Sequence, residues 1–153
     1  MKKTIRNGLF ETNSSSVHTL VYKDQSLSPS RLPIKDGKVI AHFGHFGKDF
    51  EYYETQEEKL SYLLTCLTYS CGSTWDADPR ERLYEDLYYR DLERVVCEYA
   101  GANGIEIIND VVPEIDHQSQ PEYYGSCELF PYTEENFKNF IFNDNVMLHT
   151  DCD

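Results

Sequence analysis

Nowhere in its 153 residues does this chain hold an apolar run near the roughly 18 residues of a membrane-spanning helix. Its opening, Met1-Lys2-Lys3-Thr4-Ile5-Arg6-Asn7, lacks the apolar stretch of a secretory signal. A cytoplasmic protein with no membrane partner is expected. Cysteine is sparse: Cys66, Cys71, Cys97, Cys127 and Cys152 form an odd set of five, with no CxxC pair and no repeated spacing. Such a set argues against a disulfide framework and for free thiols, with Cys66 and Cys97 among apolar helical positions. No Walker loop, GxGxxG, GxSxG or HExxH occurs. No cofactor is expected, and no repeat, low-complexity tract or linker divides residues 1–153 into more than one domain. Basic residues are few as well, 14 against 27 acidic ones, for a net charge of -13.

What is present argues for a packed core. Hydrophobic residues make up 40% of the chain and aromatics 14%, too much for a disordered acidic tail. Twelve tyrosines supply large rings with polar tips, which suit both a core and a contact surface. The charge is uneven. Residues 1–38 carry seven basic and three acidic side chains, whereas the remainder carries seven and 24. That asymmetry fits two surfaces with different partners, or simply a soluble acidic protein.

Strands are expected over Ile5–Phe10 and Val17–Tyr22, with polar turn residues between them, and again over Lys38–Phe43 after an Asp36-Gly37 turn. Thr55-Gln-Glu-Glu58 is a capping box ahead of Leu60, Leu63, Leu64 and Leu67 at helical spacing. Asp78-Pro79 opens a second helix, expected to continue to about residue 99 and to line one face with Tyr84, Tyr88, Leu92, Val95 and Tyr99. Ile105–Ile108 reads as a strand and Val111–Ile115 as another. A last helix begins at Thr133 and buries Phe137, Phe140 and Ile141, before a closing strand over Asn145–His149. This order predicts an α+β fold, a small mixed or antiparallel sheet packed against two or three helices.

The chemistry concentrates in Arg6-Asn-Gly-Leu-Phe-Glu-Thr-Asn-Ser-Ser-Ser-Val-His18. If the flanking strands pair, Arg6, Glu11, Asn13, Ser14, Ser15, Ser16 and His18 assemble a cation, a carboxylate, hydroxyls and a base suited to a phosphodiester. The plainer reading is a serine-rich turn that caps its own backbone, with His18 on a strand face. Asp116-His117-Gln118-Ser119 is a second polar cluster in a loop. His18 and His117 would together meet the needs of metal-independent RNA cleavage: one takes the 2′-hydroxyl proton, the other protonates the leaving oxygen, and Arg6 steadies the phosphorane. No metal is expected. His42 and His45 lie three apart, around the start of a Gly44-His45-Phe46-Gly47 turn, and on a strand that spacing points them to opposite sides, while His149-Thr-Asp-Cys-Asp153 lies on a tail expected to be mobile.

The Arg6-x-Gly8-x-Phe10-Glu-Thr-Asn-Ser-Ser-Ser-x-His18 pattern resembles the N-terminal signature of a protein family of phages and mobile elements in Gram-positive bacteria. Ile115-Asp-His-Gln-Ser119 and Ile141-Phe-Asn-Asp-Asn145 are also similar to it, while Thr150 and its neighbours stand where the family carries Gly-Gly. Some members resemble type II-A anti-CRISPR inhibitors associated with loss or truncation of guide RNA. The resemblance implies an inhibitor of a type II RNA-guided DNA nuclease, with that nuclease and its guide RNA as partners. It implies a shared site of Glu11, Asn13, Ser14, Ser15, Ser16 and His18, extended by Arg6, His117, Gln118 and Ser119 for a metal-independent endoribonuclease. The alternative is a non-enzymatic acidic protein that occupies the nuclease's positively charged nucleic-acid channel.

Overall fold

A computed structural model of the chain describes residues 2–6, 16–23, 30–47, 51–70, 78–115 and 125–152, with backbone alone for 2–6, 16–17, 23 and 152. The fold is α+β. The principal sheet has four antiparallel strands: β1 (Lys2–Arg6), β2 (Ser16–Lys23), β9 (Val146–Cys152) and β6 (Glu51–Tyr53), in that spatial order. The second strand of the sequence therefore pairs with the last described one, β2 lying beside β9. A second sheet takes β3 (Ile34–Lys35), β4 (Lys38–His42) and β7 (Ile105–Ile108), with β4 and β7 parallel. The short strands β5 (His45–Phe46) and β8 (Glu114–Ile115) repeat that parallel pairing one step further along.

Among the described residues there are four helices. α1 (Gln56–Ser70) begins at the capping box, where Glu58 N–H donates to Thr55 Oγ1 at 3.1 Å and Glu54 N–H donates to Glu58 Oε2 at 2.8 Å. The helix is buried almost all round, from Leu60 through Tyr62, Leu63, Leu64, Cys66 and Leu67, as expected of a central helix. Each such leucine contributes about 1.5–3 kcal/mol by leaving water. The expected second helix is two: α2 (Pro79–Glu85) ends and α3 (Leu87–Ala100) begins at Asp86. The Asp86 carboxylate accepts from the backbone N–H groups of Tyr88 and Tyr89, so the chain restarts there and the helical phase shifts. Tyr84, Leu87 and Tyr99 stand exposed, and Leu83, Tyr89, Leu92, Val95 and Val96 are the buried set.

The last helix, α4 (Glu134–Phe142), is capped by Thr133, which accepts from Asn136 N–H, and buries Phe137, Phe140 and Ile141 as its pattern predicts. Lys59, fully buried, donates to the carbonyls of Asn143 and Val146 at 3.2 and 2.9 Å, tying α1 to the turn between α4 and β9. Cys66, Cys97 and Cys127 are free thiols. Among the described residues no helix is long and apolar enough to cross a membrane.

Candidate functional site

The antiparallel register of β1 and β2 sets Arg6 opposite Thr19, and β2 in turn sets Thr19 opposite His149 of β9. His149 also faces Tyr52 of β6. Arg6, Thr19, His149 and Tyr52 therefore form one cross-strand row over all four strands. The neighbouring register runs from His18 to Thr150 to Glu51, and alternation along a strand puts these two rows on opposite faces. Arg6 and His18 do lie in paired strands, as the hairpin reading requires, but one register step apart.

His18 faces the helices and has no exposed surface. Its Nδ1 shares a hydrogen bond of 2.8 Å with the Tyr62 hydroxyl and lies 3.5 Å from Glu128 Oε2. The rings of His18 and Tyr62 meet edge to face at 5.5 Å. Burial, with the thiols of Cys66 and Cys127 and the Glu128 carboxylate nearby, pushes the Tyr62 hydroxyl well above its ordinary pKa and keeps it protonated. Burial likewise pushes the Cys127 thiol up to about 12. The cluster joins β2, α1 and the segment before α4. In this arrangement the imidazole is enclosed between the sheet and α1.

The opposite face is built differently. Val21 and Met147 are buried there in a small cluster separate from the main core. Tyr52 is 38% exposed, and its ring stacks on His149 with centroids 4.5 Å apart and planes 22° from parallel. Thr19 is buried at 3% exposure, and its hydroxyl has no hydrogen-bond partner among the described residues. His149 and Asp151 are part of a paired strand that continues to Cys152, not of a mobile tail. The pattern over Asn145–His149 predicts the strand through His149, but its partner β2 lies far away in the sequence and has no local signal. The alternation Val146, Leu148, Thr150 against Met147, His149, Asp151 is the one signal that separates the faces.

A third cluster corrects the reading of His42 and His45. The strand is interrupted at Phe43-Gly44, so both imidazoles line one groove of about 400 Å³ with Tyr53, Glu57, Glu58 and Ser61. Gly44 is required there, since a Cβ would meet the Phe46 ring at 2.8 Å. His42 Nδ1 is 3.0 Å from Asp110 Oδ1, which holds that carboxyl below its usual range, and His45 Nε2 is 4.0 Å from Glu114 Oε2. Among the described residues no group of three or more His, Cys, Asp or Glu could hold a metal ion.

Of the residues singled out from sequence, Glu11, Asn13, Ser14, Ser15, His117, Gln118 and Ser119 lie outside the described residues. Arg6 and Ser16 are placed by their backbone in β1 and β2. Sequence reasoning does not single out Tyr52 or Thr19, and it reaches His149 only as a metal ligand. No family model, curated protein or solved structure matches the chain.

Proposed function

We propose that this chain inhibits a type II RNA-guided DNA nuclease by engaging its guide RNA at the end of the four-stranded sheet from which the serine-rich signature emerges. The observation that carries this reading is the pairing of β1 with β2, which brings both ends of the 7–15 segment to one place beside the Arg6 row. The resemblance of that segment supplies the partner. A mildly basic first 38 residues in an otherwise acidic chain suits a local approach to phosphates. His18 serves as a positioning residue that holds the hairpin base through Tyr62, with Arg6 and the signature loop facing the RNA.

Channel occupation by carboxylates is the second reading. It is favoured by the complete burial of His18, which removes that imidazole from direct proton transfer. A guide-RNA integrity assay in EDTA, run with nuclease-bound and free guide, separates the two. The expected result is shortened guide RNA and a parallel loss of DNA cleavage, both abolished in a folded Arg6→Ala variant. Intact RNA with an inhibited nuclease would transfer the function to channel occupation. Intact RNA with an active nuclease would sink both.

A further inference from the structure

We propose that the pocket between α4 and the paired strands β2 and β9 is a recognition site for one unpaired nucleobase of single-stranded RNA, read by the carboxamides of Asn136, Asn139 and Asn143. The choice of RNA as the source of the base rests on the guide-RNA reading, while the chemistry of the pocket does not. The cavity measures about 500 Å³, a size and a mixed lining usual for small-ligand sites. Leu20 and Tyr22 of β2 line it with Val146 of β9, on the sheet face that carries His18. Phe140 supplies an apolar wall and is braced edge to face by Phe130, which also lines the pocket, with ring centroids 5.5 Å apart. Tyr22 and Phe130 are only partly buried, so the apolar lining reaches the surface. Among the described residues no charged side chain lines it.

The polar side comes from α4. Asn136, Asn139 and Asn143 recur at helical spacing with Phe140, so they share one face. Surface asparagines alone would say only that this face meets water. Asn139, however, makes no hydrogen bond among the described residues, and asparagine is a poor helix former, so helix stability gives no reason for it. The other two are already oriented. Asn136 Nδ2 donates to Pro131 O at 2.9 Å, which leaves its Oδ1 as an acceptor. Asn143 Oδ1 accepts from Asn145 N–H at 2.9 Å, which leaves its Nδ2 as a donor. The lining thus holds a fixed acceptor, a fixed donor and one adjustable carboxamide beside an apolar wall. A nucleobase edge carries donors and acceptors side by side and pairs with asparagine amides, while its faces seek apolar contact. Orientation before binding lowers the ordering cost. A phosphate finds no cation in this lining, so the contact is with the base and not with the backbone.

Fluorescence anisotropy of short labelled single-stranded RNAs, alike in length and differing in base, tests the pocket without the nuclease. Wild type is expected to prefer one base, and Asn139→Ala to weaken that RNA about ten-fold and flatten the preference. The slope of log K against log salt should be the same in both, since no phosphate contact is lost. The unlabelled nucleoside of the preferred base should compete, and ribose should not. Alanine is the better helix former, so Asn139→Ala should unfold no earlier than wild type. Equal affinity for all bases, an Asn139→Ala that binds as wild type does, competition by ribose equal to the nucleoside's, or no RNA binding by wild type would each overturn the pocket. Any of these with guide RNA still shortened in the integrity assay would overturn it alone and leave the guide-RNA reading standing. Base-dependent binding lost in Asn139→Ala, with nuclease inhibition undiminished, supports the pocket and removes this base contact from the inhibitory mechanism.

Discussion

At the scale of single residues, two buried polar side chains organise the interior. Tyr62→Phe keeps the ring but leaves His18 Nδ1 without its 2.8 Å partner. The expected loss is about 0.5–1.5 kcal/mol, the usual net worth of one hydrogen bond, measured by denaturant unfolding. Unchanged stability would show that the bond is not what holds β2 to α1. Lys59 makes a prediction of a different kind. Burial lowers its ammonium from 10.5 to about 8, against the opposing carboxylates of Asp144 and Glu58. Between those values the unfolded chain binds more protons than the folded one, so stability rises with pH through that window. Below pH 8 the full cost of the buried charge is present. Lys59→Met has no such titration, so wild type should gain about 2 kcal/mol relative to it between pH 8 and pH 10. A stability difference that stays flat over this range would place the ammonium in contact with water.

At the scale of elements, Asp86 closes α2 and opens α3 at once. Its own N–H donates to Leu83 O, while its carboxylate accepts from Tyr88 and Tyr89. Asp86→Ala should cost about 1–2 kcal/mol in unfolding free energy, and Asp86→Asn much less, because asparagine caps nearly as well. Equal losses for both would trace the effect to the carboxylate's charge at the helix start. The same position shows where sequence reading stops. Thr55-Glu58 and Thr133 announce α1 and α4 because their caps are local, formed within one turn of the residues that signal them. Asp86 is hidden, because apolar residues continue at helical spacing on either side and Tyr89 stands where a capping box would carry an acid. Tyr84, on the far side of that break from Leu92 and Val95, is exposed although its spacing predicts it on their face. His42 and His45 fail for a related reason. Alternation was applied through Gly44, where the strand breaks to let Phe46 and Ser61 close in. The α+β class was legible from element order, whereas the β2–β9 pairing was not. It links residues some 130 apart through a register that no local pattern encodes. His149 and Tyr52 could not be joined to Arg6 without it.

At the scale of the whole molecule, charge separates the two proposed modes of inhibition. Several of the described arginines spend their charge within the fold: Arg80 grips Asp78 at 2.6 Å, and Arg94 bonds both Asp91 and Glu134. The exposed carboxylates of α2 and α3, Glu81, Glu85 and Glu98, share that surface with the exposed Arg82 and Arg90. A protein that fills a basic channel with such a surface should bind through many screened contacts, and its affinity should fall steeply between about 0.1 and 0.5 M salt. A protein that works on guide RNA through one row of the sheet should lose little when distant acids are neutralised. The expected outcome is that the combined variant Glu81→Gln, Glu85→Gln, Glu98→Gln still inhibits the nuclease, whereas Arg6→Ala does not. Titration calorimetry against the guide-loaded nuclease at several salt concentrations would supply the matching slopes. Inhibition lost in the glutamine variant and retained in Arg6→Ala would place the working surface on the helices. The N-terminal hairpin would then be a structural clasp, its histidine spent on Tyr62.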